Sequence, residues 1–476
     1  MKKYKNIILG LPLLLLASCD GKLDVTQPDV ISAEVALRNL DDLETALYGA
    51  YAELRGSGLY GEATLWLPDL LADNLRIGNS NGGGNRREAN WQYTSGTDIG
   101  TWGGSYELIF DANTVINNSD AFEDGRKKNR IVGQALALRA LGHFELLKYY
   151  AEDYGRNSTK LAVPIVTLFE IGKPARNTVA EVYDQIFDDL LLAKNLLNNV
   201  DKDPQENGPF YFNALAVNAL LARVSLYAGE WQDAVNYATI VINQSQLANP
   251  VDYASMWAED TDGEVLFAVA FATTGDGRIG SDLLDNSNPS APRSTFTLSN
   301  DMATLYDEVN DIRFNSFVLI NPLNPPGAND QNDDVYLPFK YPGRGGERGL
   351  NNAKVLRVSE MYLIRAEAYA NISGQDALGS ADLNTLRASR ITNYVNEDLS
   401  GQVLKDAIQV ERRKELVAEG HRWFDLKRIN QGVQRGTDCR GLTISCTLEA
   451  GNFRFVFPIP QSELDANENI IQNPGY

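Results

Sequence analysis

The sequence predicts a mainly α fold in which paired helices form a scaffold, interrupted by long irregular loops and a few short strands. Three observations predict it. Apolar residues recur at helical spacing through much of the chain, small residues stand where two helices would turn and approach closely, and two long stretches, Gly78 to Gly103 and Thr273 to Asn352, show little periodicity. With 476 residues and 43% hydrophobic content the chain can bury a large core and need not be divided.

The first element is a leader. Lys2, Lys3 and Lys5 precede an apolar run from Ile7 to Ala17, and the sequence then reads Leu16-Ala17-Ser18-Cys19. A basic start, a short apolar core and small residues before a cut describe a secretory signal over residues 1–18, too short to span a bilayer. The cysteine directly after the small residues points to a bacterial lipobox, with Cys19 the acylated first residue of a mature domain over residues 19–476. An ordinary signal with an incidental cysteine is the plainer alternative. Several acyl chains, at about 0.8 kcal/mol per buried CH₂, make a durable anchor where one alone is marginal.

Helices follow. Ser32 to Leu54 has an N-cap serine and apolar residues at helical spacing, and Gly104 to Asn117, Ile131 to Tyr150 and Val179 to Leu197 read similarly. In Ala214 to Ile242, the placing of Ala222, Gly229, Trp231 and Ala234 is similar to that of the small and aromatic residues at a tetratricopeptide turn. Arg357 to Asn371 and Ala377 to Arg387, with a turn near Gly374, look like another such pair, and Ala135 to Tyr150 like a first member. Glu411 to Arg428 reads as one amphipathic helix, with Glu415 spaced to pair with Arg412 and Glu419 with Arg422. Strands are expected at Glu264 to Phe271 and where Phe453, Phe455 and Phe457 alternate with Arg454 and Val456. Loops as long as Thr273 to Asn352 are commonly functional or disordered, and on a rigid helical frame function is the better expectation.

Four motifs near the C-terminus carry a family resemblance: RVSEMYLIRAEAYA from Arg357 to Ala370, ERRKELVAEGHRWFDLKR from Glu411 to Arg428, FPIPQSELDANENI from Phe457 to Ile470, and the terminal NPGY. Together with the lipoprotein start, they resemble the SusD/RagB family of outer-membrane nutrient-binding lipoproteins. The resemblance implies a single SusD-like domain whose ligand-binding insertions lie around residues 60–105 and 272–352. It implies lipid anchoring in the outer membrane facing the cell exterior, and a SusC-like TonB-dependent transporter as partner, to which a captured oligosaccharide or polysaccharide is delivered. No cofactor is implied.

A net charge of −20 argues against nucleic acid and against membrane binding through basic patches. Cys439 and Cys446, an even pair in a loop-like segment, are placed to form a small disulfide in an exported protein, with two reduced thiols as the alternative. Only two histidines, His143 and His421, occur, both in predicted helices, which supports neither a His-based triad nor a multi-His metal site. No Walker loop is present. Glu411, Glu415 and Glu419 lie at helical spacing beside arginines and read as structural ion pairs rather than a glycosidase pair. The expectation is therefore a binding protein rather than an enzyme.

Sugars present C–H faces rimmed by hydroxyls, so their sites need aromatic plates beside amide, carboxylate and guanidinium groups. The stretch from Leu71 to Gly96 supplies that mixture. Asp73 and Asn74 are expected to close a helix, and Trp91 and Tyr93 to share a side of an extended loop, with Arg76, Arg86 and Arg87 as donors. A packed Trp91 and a merely capping Asp73 are the structural alternatives. Trp102 and Tyr106 read as packing residues and Trp257 as a core anchor. In the second loop region, Asp276, Asp282 and Arg293 accompany Arg278, the residue favoured for ligand contact. Three functions fit this sequence: glycan capture, RagB-like capture of peptides on the same scaffold, and, weakest, surface glycoside hydrolysis.

Overall fold

The structure, a computed structural model, describes residues 36–168, 172–198, 200, 206, 208–273, 276, 279–285, 288–327, 334–345, 347 and 349–476, without the side chains of Ala63, Ser281 and Asp282. The leader, Cys19 and Arg278 lie outside the described residues.

The scaffold is built from helices α1 (Leu40–Glu53), α2 (Ala63–Leu71), α3 (Thr101–Asn118), α4 (Arg126–Tyr150), α5 (Val179–Leu197), α6 (Ala214–Ala228), α7 (Trp231–Gln244), α8 (Val358–Asn371), α9 (Asp376–Arg390), α10 (Gly401–Glu415) and α11 (Arg422–Arg428). Neighbours in sequence pack together, α3 with α4, α4 with α5, α6 with α7 and α8 with α9, while α8 also lies against α7 and α10. Among the described residues no helix is long and apolar enough to cross a membrane.

Local chemistry sets the helix ends. Thr178 and Glu181 form a reciprocal capping box at the start of α5, and the Asn213 side chain accepts from the Leu215 and Ala216 amides to start α6. The turn expected within Ala214 to Ile242 falls at Gly229, which takes φ +76° as a left-handed C-terminal stop to α6 before Trp231 opens α7.

Among the described residues, eight short strands make four two-stranded antiparallel ladders: β1 (Leu75–Ile77) with β3 (Phe296–Leu298), β2 (Val265–Val269) with β6 (Ala353–Arg357), β4 (Val318–Ile320) with β5 (Tyr336–Pro338), and β7 (Val433–Gln434) with β8 (Thr447–Leu448). A single buried apolar cluster reaches from Leu43 in α1 to Ile470, and two small satellites lie between α8, α9 and α10.

Three expectations need correction. Glu411 to Arg428 is not one helix: it breaks over residues 416–421, where Ala418 has φ +57° and Gly420 φ +83°. A Cβ on Gly420 would stand 2.2 Å from the Thr64 carbonyl oxygen, so the break needs glycine. The pairing also differs. Glu415 accepts from Arg313 (3.0 Å), Arg357 (2.8 Å) and Arg390 (3.2 Å), and Glu419 from Arg357 (2.7 Å) and Lys340 (2.5 Å), whereas Arg412 and Arg422 pair with Asp425 and Asp73. Lys340 also donates to the Glu415 and Val417 carbonyls, both at 2.9 Å, so a buried cation closes the end of α10.

Arg357, expected to open a helix, is the N-cap residue of α8 and also ends β6, with its guanidinium turned inward to Glu264, Glu415 and Glu419. Phe453 to Phe457 is no strand. Asn452 caps a 3₁₀ turn over Phe453–Phe455, and the rings take separate partners: Phe455 stacks on Trp423 at 4.4 Å and Phe457 on Tyr93 at 4.5 Å.

Candidate binding surface

The residues expected to hold ligand in the first loop are brought together, but inside the protein. Asp73 is bidentate on Arg422 (2.7 and 2.9 Å), with Arg413 at 3.5 Å. Burial alone would raise its carboxyl, but the two arginines hold it below the ordinary carboxylate range. Asn74 accepts from Arg413 at 2.6 Å and donates to Asp69.

Trp91 is 6% exposed; its indole N–H donates to the Leu71 carbonyl at 2.9 Å and its ring lies 4.4 Å from the Arg435 guanidinium. Tyr93 is fully buried between Phe457 and Tyr476, with its hydroxyl on the Arg454 carbonyl. None of the four presents a face to a sugar in this structure. Their physical role is to seat the loop. Arg435 completes it by donating to the carbonyls of Leu70, Leu71, Ala72, Ala89 and Ser445, beside a loop closed by the Cys439–Cys446 disulfide.

Asp69 in α2 belongs to this buried set, with one carboxylate oxygen lacking a partner among the described residues. Burial pushes its carboxyl up to about 7, although the Asn74 amide and Lys340 oppose the shift. Because the folded value lies above the unfolded one, near about 4, the folded state holds this proton longer, and its contribution to stability falls as pH rises from about 4 through 7. Asp69→Asn is therefore expected to remove that slope and to exceed wild type by on the order of 1 kcal/mol or more at about pH 8. Urea midpoints of both proteins at about pH 5 and about pH 8 measure it.

Both histidines are buried. His143 accepts from the Val166 amide through Nε2 (3.3 Å) and sets Nδ1 3.0 Å from the Arg139 carbonyl, and burial with Arg139 nearby lowers its pKa to about 3. Among the described residues no group of three or more His, Cys, Asp or Glu side chains is arranged to hold a metal.

Half-exposed aromatic chemistry occurs elsewhere. A hollow of about 170 Å³ is lined by Tyr48 and Tyr51 of α1, Arg55, and Phe210 and Tyr211. Tyr211 meets Tyr51 nearly edge-on (centroids 5.1 Å, 79°) and Tyr48 at 5.7 Å, and the Tyr48, Phe210 and Tyr211 rings are all half-buried. The segment carrying them is fixed at three points. The Pro209 carbonyl accepts from the Ala268 amide in β2 (2.8 Å), the Phe212 amide donates to the Tyr51 hydroxyl (2.8 Å), and Asn213 caps α6. The Tyr211 hydroxyl has no protein partner among the described residues.

On the rim, Arg55 lies 4.0 Å from Asp276, whose carboxylate accepts from the Ala272 and Thr273 amides at 3.0 Å. The second predicted loop thus begins beside this hollow, two residues before Arg278. The hollow was not anticipated from the sequence; its available signal was the run Pro209-Phe210-Tyr211-Phe212 directly before a capped helix.

Two other concavities differ in chemistry. One of about 160 Å³ between Arg76–Asn79 and Arg440–Leu442 has no aromatic lining, and one of about 820 Å³ among α6, α7, α8 and α10 mixes charged and amide groups with aromatic residues such as Trp231 and Phe453.

The helical scaffold with its long loops is the fold of a known class of proteins. The SusD family model matches residues 293–476, and a second family model, described as starch-binding associating with outer membrane, matches residues 27–226. SusD-like protein P2 of Formosa agariphila is 27% identical over the full length of both chains. A SusD superfamily protein from Bacteroides thetaiotaomicron superposes with a TM-score of 0.80 at 29% identity, covering 92% of this chain and 100% of that one. A SusD-like carbohydrate binding protein from Bacteroides vulgatus does so at 0.75 and 25%, covering 91% and 97%. The chain belongs to the SusD family.

Proposed function

We propose that this protein captures oligosaccharide or polysaccharide at the outer membrane and delivers it to a partner SusC-like TonB-dependent transporter. The observation that carries the reading is the hollow of Tyr48, Tyr51, Phe210 and Tyr211, set beside a long loop in a family whose N-terminal model is described as starch-binding. Ring faces at fixed angles suit the C–H faces of pyranoses. The Tyr211 hydroxyl and the Arg55 guanidinium supply hydrogen bonding at the rim. Acylation at Cys19, read from the leader, would tether the domain facing the cell exterior, where binding precedes transport. Arg278 is kept as a proposed ligand contact from the second loop region.

Calorimetric titration of the mature chain with neutral malto-, laminari- and xylo-oligosaccharides tests the reading. Tyr211→Ala, which removes a half-buried ring and breaks no side-chain hydrogen bond among the described residues, is expected to weaken binding by on the order of 1 kcal/mol or more while leaving the unfolding free energy within about 0.5 kcal/mol of wild type. Release of reducing ends during the titration would restore the hydrolase reading, and binding of peptides in place of glycans would restore the peptide one.

A further inference from the structure

The large cleft of about 820 Å³ shares no lining residue with the aromatic hollow, and its wall sets Lys160, Lys405, Lys427 and Arg428 beside Glu152, Asp153, Glu367 and Asp406. Lys427 is half-buried in its wall, and among the described residues its ammonium has no carboxylate within ion-pair distance. It donates to the Ala151 carbonyl at 2.5 Å and the Lys148 carbonyl at 3.5 Å, and lies 4.3 Å from the Tyr154 ring centre.

Lys405 of α10 likewise has only the Asn371 amide oxygen, at 2.8 Å. The nearby acids are engaged elsewhere. Glu367 is taken by Arg428 and Gln409, and Glu152 and Asp153 share Lys160 at 3.7 Å. Asp406 is exposed to solvent and accepts from Gln402 at 2.7 Å. Burial drives the Lys427 ammonium down to about 7, opposed by Asp153 and Glu152 and assisted by Lys160. A half-buried cation without a counter-charge is stabilised by any anion the cleft admits.

The remaining lining is suited to a saccharide. Trp231 is half-buried and Phe453 is 39% exposed, and Asn430, Gln431 and Asn452 offer both donors and acceptors around them. We infer that the cleft is a second saccharide site that takes an acidic sugar unit, a uronate or a sulfate ester, with Lys427 and Lys405 as its counter-charges. The saccharide class rests on the capture reading above; the site itself does not share that reading's residues.

The test compares an oligogalacturonate with its fully methyl-esterified, uncharged counterpart on the mature chain, with a sulfated galactan oligosaccharide and an acidic peptide as further arms. The acidic sugar, in one or both charged forms, is expected to bind at least about tenfold more tightly than the ester. Which charged form binds identifies the anion. Lys427→Met and Lys405→Met are each expected to lose about that factor, and Tyr211→Ala to lose none, so failure of the hollow and failure of the cleft are read separately.

Affinity is also expected to fall as pH rises from about 6 to about 8, because the anion favours protonated Lys427, which Glu152, Asp153, Lys148 and Lys160 surround. Equal binding of acid and ester, no binding of either charged sugar, tighter binding of the acidic peptide, or lysine variants that bind as wild type would each overturn the inference. Should Lys427→Met not fold, Lys405→Met decides by the same titration.

Discussion

Glu415→Ala is expected to destabilise the protein by about 3–5 kcal/mol, read as a drop in the urea midpoint at unchanged slope. Glu415 is fully buried and accepts from Arg313, Arg357 and Arg390. Arg313 and Arg390 are themselves entirely inside the protein, each also held by a second acid, Asp311 and Glu264 respectively. Removing one carboxylate leaves three guanidinium groups sharing less charge than they need, away from water. That asymmetry makes breaking a buried pair costly even where replacing the whole set by apolar residues would not be.

The same geometry fixes a pH dependence. Burial would raise the Glu415 carboxyl, but Arg390, Arg357 and Arg313 outweigh it and hold it well below its ordinary value. A depressed carboxylate contributes stability that is full above its unfolded value, near about 4.3, and is lost as pH falls below it. Wild type is therefore expected to lose stability in acid more steeply than Glu415→Gln. A variant with an unchanged midpoint would show that the network is not integral to the fold.

Trp91→Ala is expected to cost about 3–5 kcal/mol, the range for deleting a buried large aromatic side chain. The indole fills space against the core, satisfies the Leu71 carbonyl and covers the flat face of Arg435, which five backbone carbonyls hold in place. Alanine leaves a cavity and an uncovered guanidinium. Trp91→Phe keeps the ring contact and loses the hydrogen bond, and should cost about 1–2 kcal/mol. Thermal unfolding with glycan titration separates the two readings of this residue. Lost stability with retained affinity per folded molecule fits a packing role, and retained stability with lost affinity would place Trp91 in the site after all.

Helices were legible because their signals are local. Thr178 and Glu181, Asn213 and Gly229 each act within a few residues, and the apolar periodicity between them needs no tertiary context. What failed depended on distant partners. Glu411 to Arg428 has good helical spacing, yet the close approach of Thr64 to Gly420 and the demand of Arg313, Arg357 and Arg390 for Glu415 break it. Trp91 and Tyr93 share composition with a sugar site, but Arg435 and Phe457, more than 300 positions away, draw both rings inward. Tyr48 and Tyr211 meet across about half that separation with the opposite result, two unremarked tyrosines made into a surface feature by the folding of α1 against the segment before α6.

Glycan capture at that hollow is tested most directly by calorimetric titration of wild type and Tyr211→Ala, side by side, with neutral oligosaccharides. Saturable binding without turnover in wild type, weakened by about fivefold or more in a variant of equal stability, is the predicted result. Equal affinity in the two proteins would place the sugar elsewhere and contradict the assignment of the hollow.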